Sequence, residues 1–182
     1  MSGRGPFVAV RMRTAADEVA APKYAHTEIE RRWLVDPVTA GTLSAVDPMR
    51  ITDRYISNTR LRLREMHFAG ETVWKLTKKY ECADPLVRPI VTAYLTACEH
   101  DVFARLPALV LEKQRFRVEH EGHDFSLDQF AGPLDGLWLA EIEMAAEPAL
   151  RALNNPSWTV RDITRDGRYQ GATLARNGLP AE

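Results

Sequence analysis

The chain has 182 residues, 45% of them hydrophobic and 27% charged, which suits one soluble domain with a sizeable core. Its 24 basic and 25 acidic residues leave a formal net charge of −1, and that balance argues against a general nucleic-acid or membrane surface, either of which calls for a basic excess. No stretch is long or apolar enough to span a membrane, and Cys82 and Cys98 form no C-x-x-C pair, so the expectation is a cytoplasmic protein whose thiols are small apolar fillers.

Residues 1–23 carry Gly, Pro, Ala and scattered charge without a clean period, and Arg4, Arg11 and Arg13 precede no apolar core of a signal peptide. They predict a disordered extension before one folded domain over 24–182. Period-two alternation predicts a strand over 27–35. Asp36 as cap and Pro37 in the first turn then predict a helix to about residue 46. Strands follow over 50–57, 59–66 and 72–80, with Ala69-Gly70-Glu71 as a hairpin turn. Ile90, Ala93, Tyr94, Ala97 and Cys98 recur at helical spacing ahead of Pro107, which predicts a helix over 89–105. Strands over 110–120 and 124–130 flank Glu121-Gly122, and a last strand over 137–144 follows Gly132-Pro133-Leu134-Asp135-Gly136. Short helices over 148–153 and 169–176 complete the tail, the second ended by Gly178 and Pro180. The fold class is α+β, with a closed antiparallel β-barrel or strongly curved sheet.

Alternate residues of a strand share a face, and here the faces sort by charge. Glu28, Glu30 and Arg32 share one; Arg60, Arg62 and Arg64 another; Lys75, Thr77 and Lys79 a third. Lys113, Arg115 and Arg117 align on the next strand, then Asp124, Ser126 and Asp128, then Glu141 and Glu143. Like charges ~7 Å apart repel by about 2 kcal/mol at an effective dielectric near 20. A charged outer sheet face would account for any one strand, but the whole set, with acids at both ends and bases between, points to faces that converge. Grouped carboxylates are the hard oxygen ligands that Mg²⁺ or Mn²⁺ prefers. Arginine grips phosphate oxygens bidentately and lysine adds point charge. A chain of phosphates bridged by divalent ions requires both sets together, and metal-bound water can attack a terminal phosphoryl group.

These residues resemble a known family. Glu28-Ile29-Glu30-Arg31-Arg32-Trp33-Leu34-Val35 is similar to the E-x-E-x-K opening strand of the CYTH superfamily, the triphosphate tunnel metalloenzymes. The resemblance continues through Tyr55, Leu61-Arg62-Leu63-Arg64, Lys75-Leu76-Thr77-Lys78-Lys79, Glu112-Lys113-Gln114-Arg115 and Ser126-Leu127-Asp128-Gln129-Phe130. Gly136-Leu137-Trp138-Leu139-Ala140-Glu141-Ile142-Glu143 resembles the closing strand, and Asp162-Ile163-Thr164-Arg165-Asp166-Gly167-Arg168-Tyr169 the end of the short bacterial members. It implies a closed eight-stranded antiparallel tunnel with a few flanking helices. It implies Mg²⁺ or Mn²⁺ held by Glu28, Glu30, Glu141 and Glu143 with Asp128. It further implies phosphate binding by Arg62, Arg64, Lys75 or Lys79, Lys113 and Arg115, to which Arg117 is added as the next residue in alternation. The implied activity is hydrolysis of a short polyphosphate, with inorganic triphosphate first. Thiamine triphosphate hydrolysis, cyclisation of ATP and non-catalytic polyphosphate binding are the alternatives. The implied partner is a small-molecule triphosphate or polyphosphate, without nucleic acid or membrane, and a homodimer fits the same reading.

One departure matters. Arg32 stands where the family has lysine, and a guanidinium stays protonated at working pH, so Arg32 cannot be a general base. It can hold a phosphate. The lysine–tyrosine pair proposed for some members, whose tyrosine would be Tyr55, is thereby altered, and water activation passes to the metal and a glutamate. The catalytic candidates are Glu28, Glu30, Arg32 and Tyr55. His120-Glu121-Gly122-His123 lacks the spacing of a zinc site and reads as a hairpin. His26, His67 and His100 read as structural or exposed, Trp74, Trp138 and Trp158 as core or barrel wall, and no Gly-rich phosphate loop is present.

Overall fold

Ala69 and Gly70 both have positive φ, 50° and 82°, as do Glu121 and Gly122 at 50° and 76°. Two successive left-handed residues match the twist of flanking strands and force antiparallel hairpins, and the barrel grows from such hairpins. The computed structural model describes residues 22–44 and 47–181; the extension expected over 1–23 lies, but for its last two residues, outside the described residues. The elements are β1 (His26–Val35), α1 (Pro37–Leu43), β2 (Met49–Ile56), β3 (Leu61–Phe68), β4 (Glu71–Lys79), β5 (Val87–Leu95), α2 (Ala97–Ala104), β6 (Ala108–His120), β7 (His123–Phe130), β8 (Trp138–Glu143), α3 (Glu147–Ala152), β9 (Arg161–Asp162) and α4 (Gly171–Asn177).

The sheet runs β5-β4-β3-β2-β6-β7-β8-β1, and β1 also pairs with β5, so eight antiparallel strands close into a barrel with β9 added outside on β1. Closure depends on β1 changing partners along its length. His26 to Ile29 pair with β5, and Glu30 to Val35 pair with β8. Every strand read from alternation is present within a residue or two.

The helix expected over 89–105 is corrected. Its first half is β5, and only α2 is helical, started by a Thr96–Glu99 capping box. Val87, Ile90, Val91 and Thr92 favour the extended state. Pro89 is tolerated there because its carbonyl still accepts from the Tyr80 amide. Without β5 the sheet would keep two open edges, and their pairing outweighs the helical spacing.

One set of apolar alternates faces away from the barrel axis. Trp33, Phe125, Leu127, Ala140 and Ile142 point outward from β1, β7 and β8 and pack with Leu150 of α3. A second cluster of Leu111, Phe130, Leu139, Ile163, Tyr169 and Leu174 brings the tail against one end of the barrel. No helix among the described residues is long and apolar enough to cross a membrane.

Candidate active site

The barrel encloses a cavity of about 1310 Å³ lined by alternate residues of all eight strands and by the start of α4. Ten lysine and arginine side chains line it against six carboxylates, so it carries the positive surplus that a polyanion requires.

The acids stand together. Glu28 and Glu30 project inward from β1, and Glu141 and Glu143 from β8, where Glu30 faces Glu143 across the ladder and Arg32 faces Glu141. Each is engaged by a base. Lys79 Nζ lies 2.5 Å from Glu28 Oε2, Arg32 Nε 3.2 Å from Glu30 Oε1, and Arg115 Nη2 donates to Glu141. Glu143 sits at the more open end, 3.8 Å from His26. Burial, with the negative charge of Glu141 added to it, pushes Glu30 up to about 7, so near neutrality it keeps a proton part of the time. Burial would also raise Glu141, but Lys113 and Arg115 overcome it and hold that carboxyl far below the usual range.

The bases are held from behind by two fully buried acids. Asp53 accepts from Arg64 Nε and Nη2, each at 2.6 Å, and lies 3.6 Å from Arg62 Nε. Asp128 accepts from Lys113 and, at 2.7 Å on each oxygen, from Arg115. Burial opposes the Asp53 charge, but Arg64 and Arg62 prevail and its carboxyl stays well below the carboxylate range. Burial likewise pulls the Lys113 ammonium down, with Asp128 resisting. Arg62 Nε is buried without a hydrogen-bond partner, so one donor of the site is unsatisfied.

The placement of the expected residues is mixed. Glu28, Glu30, Arg32, Tyr55, Arg62, Arg64, Lys75, Lys79, Lys113, Arg115, Glu141 and Glu143 all line the cavity. Asp128 does not; it lies beneath Lys113 and Arg115, with both oxygens occupied. Arg117 is corrected, because β6 outruns the barrel and its side chain is 76% exposed and paired with Asp124. Asp53 went unnoticed in the sequence; it shares the inward face of β2 with Ile51 and Tyr55, and that parity was its one signal. Tyr55 is partly buried against the tail, and removal from water together with Asp53 lifts its phenol well above the ordinary value, so it is a neutral donor. His120 and His123 pair across the β6–β7 hairpin and His120 packs edge-on to Phe125 and Trp158, as a structural reading requires.

Among the described residues, no three carboxylates, imidazoles or thiols are already gathered closely enough to hold an ion. The donor set nonetheless fits a hard divalent cation: four carboxylates project inward from adjacent strands, and burial, with the repulsion of Glu141 added to it, leaves Glu30 protonated part of the time near neutrality. A dication would take the place of that proton and of the lysine and arginine contacts.

No protein-family model matches the chain. It is 32% identical over 155 residues to the inorganic triphosphatase of Nitrosomonas europaea, an alignment covering 82% of this chain and 97% of that protein. It is 38% identical over 68 residues to the inorganic triphosphatase of Acetivibrio thermocellus, covering 37% of this chain and only 42% of that relative's length. The solved structure of the inorganic triphosphatase NE1496 has the same fold, with a TM-score of 0.52 at 24% identity over 81% of this chain and 93% of that one.

Proposed function

The chain belongs to the CYTH superfamily of triphosphate tunnel metalloenzymes, alongside the inorganic triphosphatases it matches, and from that premise we propose that it hydrolyses a short polyphosphate, inorganic triphosphate to diphosphate and phosphate, with Mg²⁺ or Mn²⁺. The observation that carries this reading is the sorted interior. The carboxylates of β1 and β8 face a wall of bases across one enclosed space, and Asp53 and Asp128 fix those bases from behind.

Arg62, Arg64, Lys113 and Arg115 are oriented to take phosphate oxygens, because their other contacts hold them against the wall with N–H groups left to donate. Removal from water strengthens each of these contacts. A cation held by Glu28, Glu30, Glu141 and Glu143 would supply an acidified water and neutralise phosphate charge. Arg32 remains protonated and serves the phosphates, not as a base. Tyr55 offers a neutral hydroxyl, and a glutamate of β1 would take the proton from the attacking water.

Phosphate release from triphosphate, thiamine triphosphate, ATP and longer polyphosphates, each with Mg²⁺ and with Mn²⁺, tests the assignment. Triphosphate is expected to be turned over fastest, with no activity in chelator. Proton and metal compete for Glu30, so half-saturation should need less metal as pH rises through about 7. Cyclic AMP from ATP would select a cyclase instead, and tight triphosphate binding without turnover under either ion would select a binding module.

A further inference from the structure

The tail packed against one end of the barrel touches the two cavity residues whose chemistry the sequence left most open. Arg32 Nη1 donates to the Tyr169 carbonyl at 3.1 Å while its Nε faces Glu30 at 3.2 Å. Its own amide donates to Thr164 Oγ1 at 3.0 Å. Two residues past Tyr169, Gly171 lies so close to Tyr55 that a Cβ there would stand 1.9 Å from the phenol oxygen and 2.9 Å from Cζ. Tyr169 is itself fixed: it is buried, its hydroxyl accepts from Arg161 at 2.9 Å, and the Arg161 guanidinium lies 5.4 Å from its ring centroid.

We infer that residues 169–171 form a positioning strap that sets Arg32 and Tyr55 for the reaction, with Gly171 acting through Tyr55. The inference rests on the hydrolytic reading above. Only a guanidinium offers two nitrogens, one for Glu30 and one for the Tyr169 carbonyl; an ammonium is a single point on its stem. Arginine at position 32 is therefore matched to this tail. Gly171 has no backbone reason to be glycine. It opens α4 without a left-handed φ, and alanine is the stronger helix former there. What excludes a side chain is the phenol. Ordinary contact begins near 3.4 Å, so a methyl group at 171 must drive the ring or the strap about 1.5 Å from its place.

Kinetics of triphosphate hydrolysis by the full chain test this through Gly171→Ala, Tyr55→Phe and the double variant. A misplacement of that size costs on the order of 10²-fold in kcat, with KM changed by less than about threefold. In the Tyr55→Phe background the hydroxyl is gone, so Gly171→Ala should cost less than about fivefold. Arg32→Lys gives a readout independent of turnover. It presents one nitrogen where arginine presents two at separate positions, so the Tyr169 contact should weaken and amide exchange across 170–177 should rise several-fold while β7 stays protected. An equal Gly171→Ala penalty in both backgrounds, no penalty in an active protein, or unaltered exchange in Arg32→Lys overturns the strap. A wild-type chain inactive on every substrate overturns the hydrolytic reading itself, and the two failures are thereby distinguished.

Discussion

Glu141→Gln should lower kcat/KM for triphosphate by at least on the order of 10²-fold, beyond the 10–100-fold typical of groups that merely orient a metal ligand. Glu141 is the carboxylate that Lys113, Arg115 and Arg32 keep ionised against burial, so it is the fixed negative charge of the acidic wall. The amide keeps the shape and an acceptor for Arg115, which Asp128 also holds. The loss should therefore appear in turnover and metal affinity more than in folding. The same change removes the Glu141 repulsion that adds to burial in raising Glu30. Glu30 then ionises at lower pH, and the metal requirement should become less pH-dependent near neutrality. Glu121→Gln in the exposed β6–β7 turn is the control and should leave the rate unchanged. Paired rate and metal titrations across pH on the two variants check all of this.

Asp53→Ala should destabilise the ligand-free fold by about 3–5 kcal/mol, the cost of breaking a buried ion pair by removing one partner. Asp53 is 1% exposed and balances both Arg62 and Arg64, each largely buried beside it. Without it two like-charged guanidiniums stand two residues apart on β3 with their shared acid gone. A bound polyanion supplies the missing charge, so triphosphate should raise the melting temperature of this variant more than that of the wild type. Thermal unfolding with and without triphosphate gives both numbers. The sign with pH follows from the depressed Asp53 carboxyl. Its stabilising contribution is complete above the unfolded value near 3.8 and is lost as pH falls through the lower folded value. The variant should therefore lack part of the wild type's loss of stability in strong acid.

Alternation along β1, β3, β4, β6, β7 and β8 was enough to read which side chains share the interior, because a strand's period of two has no slack. It failed where that period carried no contrast. One face of β5 lines the tunnel with Arg88, Ile90, Thr92 and Tyr94, yet Thr92 and Tyr94 are exposed and the opposite face is only partly buried, so the same residues also fit a helix. Parity also fixes a face but not a depth. Arg117 shares the face of Lys113 and Arg115 but lies past the barrel rim, and Asp128 shares the inward face but lies under the bases it holds. Asp53 acquires its importance across the β2–β3 register, where it faces Arg64. The meeting of Tyr55 with Gly171 joins the second strand to the last helix, which no local pattern encodes.

Crystals grown with excess tripolyphosphate and Mn²⁺ would show where metal and phosphate bind, since the manganese can be located by its anomalous signal independently of the phosphates. Manganese is expected against Glu28, Glu30, Glu141 and Glu143, with phosphate density on Arg62, Arg64, Lys113 and Arg115 inside the barrel. Manganese and phosphate bound to the outer wall, with the interior carboxylates still engaged by Lys79, Arg32 and Arg115, would contradict it.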